Sequence, residues 1–211
     1  MQAVRPVSCA LLVLVVALES VSAFTGKATT YGTNDFKGGA CSIRQSPSGV
    51  NPTHFVAMNQ QQYANSCGRC LSIKGAKGTI TAFAADLCSE CGQNNLDFSG
   101  NTWNAVTGKT PGIEPITWHF VPCPQPKPAI CLKEGSNTFW VAVQAANVRD
   151  GVSSIEIAGR KGTKIGTTAF YQADTNGKVN LSKLPVTVTS VGGVKTSYTV
   201  SLKENQCTTA K

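Results

Sequence analysis

The sequence contains few histidines, few acidic residues and, after its first 23 positions, no long apolar run. With only two histidines in 211 residues, a metal centre or nucleophilic site built on histidine is not expected. No later stretch approaches the roughly 18 uninterrupted apolar residues of a membrane-spanning helix, so we expect no membrane partner. The formal net charge is +8, yet the lysines are scattered and no nucleic-acid-binding motif occurs. The charge therefore suits an anionic polysaccharide such as pectin better than nucleic acid.

The first 23 residues have the pattern of a secretory signal peptide. Arg5 precedes an apolar run from Cys9 to Leu18, and Val21-Ser22-Ala23 supplies the small residues of a cleavage site. We therefore expect residues 1–23 to be removed and the protein to be secreted into the extracellular space or cell wall. Cleavage leaves eight of the nine cysteines, an even number that indicates disulfides in an exported chain.

A proline-rich segment divides the remaining chain. Residues 122–128 include four prolines, which fix backbone angles and favour an extended spacer. We place a first domain at 24–124, a linker at 125–129 and a second domain at 130–211.

Both domains are predicted to be β-structure. In the first, period-two alternation predicts strands at Thr79–Phe83 and Ile116–Val121, with short helices within 60–64 and 99–106. In the second, turns rich in Gly or Asn-Gly separate four strands, and their regular spacing predicts a β-sandwich. These strands are Phe139–Ala145, Ser154–Ala158, Val186–Val191 and Ser197–Leu202.

The cysteine spacing also allows a zinc site. Cys67-x2-Cys70 is followed after 17 residues by Cys88-x2-Cys91, which fits four-thiolate coordination. Thiols in the secretory pathway are oxidised, however, and the other four cysteines also need partners. We therefore favour disulfides over zinc, and we expect no metal and no cofactor.

Asp86 and Asp97 are the candidate groups for chemistry on sugars. Paired carboxyl groups can perform acid and base steps on a glycosidic bond. Taken alone, however, an Asp beside Ser99 and a helix-like stretch is more often a cap or turn residue. Spacing by itself therefore favours a structural role.

Short motifs in a specific order change this interpretation. The first half resembles the double-psi β-barrel of expansins, of their fungal loosenin-like relatives and of family-45 glycoside hydrolases. The second half resembles the expansin carbohydrate-binding domain, and the resemblance runs from about Thr25 to Leu202. It implies an all-β chain, with a six-stranded double-psi β-barrel followed by an immunoglobulin-like β-sandwich. The motifs are Ala28–Gly32, Gly38–Cys41, Cys67–Cys70, Ala85–Cys88, Leu96–Ser99, Lys133–Ser136 and Phe139–Gln144.

The resemblance assigns Thr29, Asp86 and Asp97 to a polar groove, with Asp97 matching the general acid of the hydrolases. The hydrolase base lies four residues after the matched Thr, and here that position is Thr33. Inverting hydrolysis needs two carboxyl groups roughly 6.5 to 9.5 Å apart. We therefore expect a non-enzymatic protein that binds cellulose and associated matrix polysaccharides and loosens them. The alternatives are a weak endo-β-1,4-glucanase that uses Asp97 with Asp35, and a barwin-like chitin-binding defence or virulence protein.

The resemblance assigns carbohydrate binding in the second domain to Lys133, Phe139, Trp140 and Tyr171. Strand alternation places Trp140 on the face opposite Phe139, so exposing both aromatics would require a bulge. At the third aromatic position either Phe170 or Tyr171 faces outward, and we favour Tyr171. We expect a monomer. The resemblance also implies the disulfides Cys41–Cys67, Cys70–Cys123, Cys88–Cys91 and Cys131–Cys207.

Overall fold

The structure is a computed structural model that describes residues 23–210. Apart from Ala23, the predicted signal peptide lies outside the described residues. Within 23–210, no helix is long and apolar enough to cross a membrane. The chain is built mainly of strands, as predicted, with one α-helix and two short 3-10 helices in the part described. These helices are α1 (Gly100–Val106) and the 3-10 turns Gln60–Gln62 and Leu181–Lys183.

The first half forms a closed barrel of six strands in the order β1-β5-β2-β4-β3-β6. Two neighbouring pairs, β1 with β5 and β2 with β4, run parallel, and the other pairs are antiparallel. This closed barrel fits the predicted double-psi architecture. The strands are β1 (Phe24–Thr30), β2 (Phe55–Asn59), β3 (Cys70–Lys74), β4 (Thr79–Cys88), β5 (Leu96–Phe98) and β6 (Glu114–Val121).

Large aromatic side chains fill the barrel. Phe55, Phe83 and Phe98 are buried, and the rings of Phe55 and Phe83 lie 6.0 Å apart. Trp118, from the alternating strand before the linker, is also buried and donates its indole N–H to the carbonyl of Asn94 at 2.8 Å. A buried indole with a satisfied N–H is the usual arrangement in a well-packed core.

The second half forms two sheets that share one hydrophobic core, as predicted for a sandwich. The sheet orders are β10-β9-β13-β14 and β11-β12-β8-β7-β15. Alternate residues of both sheets, such as Val141, Ile155 and Val186, point into the common core. The strands are β7 (Ala129–Leu132), β8 (Trp140–Ala146), β9 (Val152–Ile157), β10 (Arg160–Lys161), β11 (Thr163–Lys164), β12 (Tyr171–Asp174), β13 (Leu184–Ser190), β14 (Lys195–Val200) and β15 (Cys207–Thr209).

The eight described cysteines form four disulfides. Because every thiol of the two Cys-x2-Cys pairs is used in a disulfide, the zinc alternative is wrong. Cys131 and Cys207 join the neighbouring strands β7 and β15, and Cys70–Cys123 ties β3 to the proline-rich segment. The pairs are those that the resemblance implies: Cys41–Cys67, Cys70–Cys123, Cys88–Cys91 and Cys131–Cys207.

Candidate functional site

Thr29, Asp97 and Asp86 lie in one row across four neighbouring barrel strands, with Ala57 between the two aspartates. We call this the polar row. Thr29 of β1 pairs with Asp97 of β5, which pairs with Ala57 of β2, and Ala57 pairs with Asp86 of β4. Paired residues point to the same side of a sheet, and strands lie about 4.8 Å apart, so the Cα atoms of Asp97 and Asp86 are about 10 Å apart. The three polar residues named from sequence therefore lie together.

A β-bulge in β4 brings Asp86 into this row. Val56 pairs with Ala84, but the next residue, Ala57, pairs with Asp86, so Ala85 is an extra residue in β4. A bulge bends the strand and redirects the side chains that follow it. Without the bulge Asp86 would move one place along the ladder and its side chain would point to the opposite side of the sheet.

Asp97 is the acidic centre of the row. The hydroxyl of Thr29 donates to Asp97 Oδ1 at 2.6 Å. Burial raises the pKa of Asp97, the hydrogen bonds from Thr29 and from the Phe98 backbone partly oppose this, and the charges of Asp86 and Glu90 raise the pKa further. Asp97 therefore keeps its proton to a higher pH than an ordinary Asp and can donate a hydrogen bond to a sugar oxygen.

Asp86 is anchored to the backbone. Its Oδ1 accepts hydrogen bonds from the N–H groups of Ala40 at 2.7 Å and Leu87 at 2.8 Å. Hydrogen bonds of this kind to a carboxylate are strong and fix its orientation. Asp86 thus joins the row to the loop that contains Ala40, which leads towards the second domain.

Tyr31 also belongs to the site, although sequence analysis gave it no role. Its side chain is 38 % exposed. Burial, followed by the charges of Asp86 and Asp97, raises the pKa of its hydroxyl well above the usual Tyr value. The hydroxyl therefore stays protonated near both carboxyl groups. Its position two residues after Thr29 could have indicated this role from the sequence. Glu90, whose charge also raises the pKa of Asp97, lies in the Cys88–Cys91 turn and had no such sequence signal.

The proposed alternative base, Asp35, lies in an exposed loop. Its Oδ1 accepts the backbone N–H of Lys37 at 3.0 Å, and its own N–H donates to the hydroxyl of Thr33. Of the described carboxylates, Asp86 and Glu90 raise the pKa of Asp97, and Asp35 is not among them. Thr33, at the position of the hydrolase base, contributes its carbonyl to the N–H of Gly100 at the start of α1.

Trp140 begins β8 on the outer face of the five-stranded sheet, as the alternation predicts. Its indole N–H donates to Gln172 Oε1 on β12 at 3.1 Å, which fixes the ring across two strands. The half-buried ring lines a cleft of about 290 Å³ together with Arg160, Gln172 and Asp174. Such a cleft presents an aromatic surface beside several polar groups.

Phe139 is the most exposed of the candidate aromatics, at 67 %. Alternation predicts it beside Val141 in the core, and that prediction is wrong because β8 begins only at Trp140. Asn137 Oδ1 accepts the N–H groups of both Phe139 and Trp140 and shapes the turn before the strand. The ring lies against Gly177, where a Cβ atom would come within 2.9 Å of it. Both aromatics are thus accessible without a bulge in β8.

The prediction that Tyr171 is an outward-facing platform is wrong. Tyr171 pairs with Val143 on the core side of the sheet, is only 6 % exposed, and donates its hydroxyl to the carbonyl of Ser153. Phe170 is 2 % exposed and lies beneath the guanidinium of Arg44, 5.8 Å from the ring centroid. The third aromatic position is therefore covered whichever of the two residues occupies it.

Lys133 lies at the barrel side of this sheet. Its backbone N–H donates to the carbonyl of Ala142, and its side chain lines a cleft shared with Arg44 of the barrel. Direct hydrogen bonds join the same regions, because Gln144 of β8 accepts the N–H of Arg44 and donates to the carbonyl of Ser42. The outer face of the sheet and the barrel loop are therefore in direct contact.

Known proteins resemble this chain in both its barrel and its sandwich. No protein-family profile matches the chain. Expansin-like protein 5 of Dictyostelium discoideum is 25% identical over 158 residues, which cover 70% of this chain and 66% of the relative. An expansin of Bacillus subtilis is 29% identical over 133 residues, which cover 60% and 56%. The matched segments thus span less than two thirds of the length of these relatives.

Solved structures match over a larger share. An apo expansin of Clavibacter michiganensis has a TM-score of 0.78 at 27% identity and covers 89% of this chain and 96% of its own. A variant of that expansin in complex with cellohexaose has a TM-score of 0.77 with the same identity and coverage. The likeness to these expansins includes both the barrel and the sandwich, so the predicted resemblance to expansins and expansin-like proteins is confirmed over both halves of the chain.

Proposed function

We propose that this protein is secreted, binds cellulose and associated matrix polysaccharides as a monomer, and loosens their packing without cutting them. The observation that carries the proposal is the polar row, in which Asp97 is an acid with a raised pKa and the neighbouring carboxylate, Asp86, is held by backbone N–H groups. Asp97 has a raised pKa, while Asp86 Oδ1 is bound to two backbone N–H groups. The four disulfides support export, because such bonds persist in oxidising compartments.

The row supports binding rather than hydrolysis. Inverting hydrolysis needs a second carboxylate that activates water on the opposite face of the sugar. Thr33 occupies the position of that base, and the Asp35 carboxylate accepts from the backbone of its own loop. A small displacement of such a base is enough to remove most of its catalytic effect.

Loosening follows from competition for hydrogen bonds. A protonated Asp97 and the Tyr31 hydroxyl can donate to sugar oxygens, and the second oxygen of Asp86 can accept from a sugar hydroxyl. Each such bond replaces one that a glucan chain makes with its neighbour. The chain is then held on the protein at the contact point and separates from its neighbour without breakage of a covalent bond.

The second domain supports binding to extended glucan. Phe139 and Trp140 are consecutive in sequence and each presents an accessible aromatic ring, which suits the apolar faces of pyranose sugars. The complex of the related Clavibacter michiganensis expansin with cellohexaose supports the same class of ligand. We therefore assign the outer face of the five-stranded sheet to anchoring and the polar row to loosening.

The test is extension of a clamped, heat-killed plant wall strip, measured together with the release of reducing sugar. We expect wild-type protein to extend the strip without sugar release, and Asp97→Asn to lose most of the extension. Sugar release from pure cellulose that Asp97→Asn abolishes would instead identify a glucanase. Binding to chitin in preference to cellulose, retained in Trp140→Ala, would support the barwin-like alternative.

A further inference from the structure

A basic cleft lies between the barrel and the sandwich. It has a volume of about 550 Å³, and Lys37 and Arg44 line it from the barrel while Lys133 and Asn205 line it from the sandwich. Three cationic side chains from two domains thus converge on one opening. We call these residues, with Phe170 at the base, the basic cleft.

The cations of the basic cleft have no acidic partners. None of the ion pairs among residues 23–210 includes Lys37, Arg44 or Lys133. Asp35 accepts the backbone N–H of Lys37, and Glu204 accepts that of Gly135. Glu134, next to Lys133 in sequence, forms none of these ion pairs, and the Lys133 ammonium lies 3.5 Å from its backbone carbonyl. Uncompensated positive charge in a concave site attracts anions more strongly than the same charge on a flat surface.

The base of the cleft differs from the aromatic end of the same sheet. Phe170 is buried beneath Arg44 and offers no free ring face for a sugar, in contrast to the exposed ring of Phe139. Arg44 is itself held by a hydrogen bond of 2.9 Å from Nη2 to Asn205 Oδ1. The cleft can therefore recognise a ligand by charge and hydrogen bonding, but not by stacking.

The basic cleft lies between the two polysaccharide-binding regions. Its barrel residues flank Ala40, whose N–H holds Asp86 of the polar row, and the Ala40 carbonyl lies 3.5 Å from the hydroxyl of Thr167 in the sandwich. On the other side, Lys133 is hydrogen-bonded through its backbone to Ala142, two residues after Trp140. A polymer that contacts both regions would pass the cleft.

We propose that the basic cleft is an anionic subsite that binds the carboxylate of an acidic sugar, of the uronate type, within a polysaccharide chain. The proposal rests on the proposed function for the neutral part of the surface and adds a charged substrate class to it. Arg44 suits a carboxylate because its planar guanidinium can donate two parallel hydrogen bonds. Lys37 and Lys133 add charge without a fixed geometry.

The experiment compares two soluble glucans that share a backbone. Carboxymethylcellulose carries carboxylates and hydroxyethylcellulose does not. Binding of each is measured with the full chain and with the double variant Lys37→Gln/Lys133→Gln. The matched control is Lys74→Gln/Lys183→Gln, which removes the same charge from exposed positions outside the cleft. Arg44→Lys tests the guanidinium while the charge is kept.

We expect the cleft double variant to weaken carboxymethylcellulose binding by about three- to tenfold at low salt, and to weaken hydroxyethylcellulose binding much less, because only the charged polymer loses an ion pair. The control double variant should weaken carboxymethylcellulose binding by less than half as much. Arg44→Lys should also weaken binding to the charged polymer only. Equal losses in the two double variants, or no loss in either, would overturn the subsite. So would equal loss for both polymers. Failure of the wild type to bind hydroxyethylcellulose or insoluble cellulose would instead count against the proposed function.

Discussion

Asp97 carries a pKa that the folded barrel raises, and this has a consequence for stability. Between the ordinary pKa of an unfolded Asp and the raised pKa of the folded one, the folded state binds more protons. The contribution of Asp97 is therefore fully present at low pH and is lost as the pH rises through the folded pKa. The ionised form at neutral pH is a cost to the fold.

The variant Asp97→Asn should remove this pH dependence. We expect its free energy of unfolding to fall less than that of the wild type as the pH rises through the Asp range, and to exceed it at neutral pH. Urea unfolding at a series of pH values measures both effects. Asp35→Asn, at an exposed loop position, is the control. An identical pH profile for Asp97→Asn and wild type would contradict the raised pKa.

Wall loosening should follow the same titration. If protonated Asp97 donates to a sugar oxygen, extension of wall strips is expected to be greatest in acid and to decline as the pH rises through the raised pKa. Thr29→Val removes a hydrogen bond that lowers this pKa, so its decline should move to higher pH. An extension profile that is flat with pH, or a Thr29→Val profile shifted towards acid, would contradict this role.

Phe139 and Tyr171 should behave oppositely when they are truncated. Phe139→Ala removes an exposed ring and should weaken cellulose binding by about tenfold, because stacking of one ring contributes about 1–3 kcal/mol. Its melting temperature should not change. Tyr171→Ala should lower stability by about 3–5 kcal/mol, as for other buried aromatics. Calorimetry and pull-down separate the two effects, with exposed Val194→Ala as control. Loss of stability in Phe139→Ala would place its ring in the core.

The β-strands that could be predicted are those marked by period-two alternation or by the turns that bound them. Alternation predicts β4 and β6, the turns and their spacing predict β8, β9, β13 and β14, and each of these strands is present. The strands β2 and β7 are buried at every position and so have no alternation to detect. The strands β10 and β11 are two residues long and too short for any pattern.

The geometry of the polar row could not be read from the sequence. The motif order named Thr29, Asp86 and Asp97, but their proximity depends on the parallel pairing of β1 with β5 and on the extra residue Ala85 in β4. Pairing and bulges are tertiary properties, whereas alternation is local. Phe139 was misplaced for a related reason, since one residue at the start of β8 decides which face it joins.

The Gly38–Gly39 segment tests how the barrel loop holds Asp86. A Cβ atom at Gly39 would overlap the carbonyl oxygen of Ala85, whereas one at Gly38 would meet no atom within 4 Å. Gly39→Ala should therefore displace the loop, weaken the bond from Ala40 to Asp86, lower stability by about 1–3 kcal/mol and reduce wall extension. Gly38→Ala is the matched control. Equal stability of the two variants would show that the loop adapts.

The two domains are joined by more than the linker. Tyr63 of the barrel donates its hydroxyl to the carbonyl of Thr167 at 2.7 Å, and burial together with the charge of Asp86 raises its pKa to about 12, so it remains a donor. Asn147 accepts the N–H of Ser48 and donates to the carbonyl of Lys127. These bonds satisfy backbone groups across the interface, so the domains are expected to move as one unit.

Gln144 gives the sharpest test of that coupling. It is buried, and its side-chain amide bonds the carbonyl of Ser42 at 3.0 Å and the N–H of Arg44 at 2.9 Å. Gln144→Met keeps the length of the side chain but leaves both backbone groups without a partner, at a cost of about 1–3 kcal/mol for each. We expect the proline-rich segment 122–128 to be cleaved faster by protease in this variant.

Wall extension should distinguish this coupling from simple binding. If loosening needs the polar row and the aromatic face in one fixed arrangement, Gln144→Met should lose most of the extension while cellulose binding through Phe139 and Trp140 is retained. Gln61→Met, at an exposed barrel position, should change neither property. If protease cleaves Gln144→Met at the wild-type rate and the variant extends walls as well as the wild type, the interface is not what aligns the two surfaces. Parallel loss of binding and extension would mean that the substitution acts on the sandwich itself, because an altered domain arrangement leaves the exposed aromatics in place.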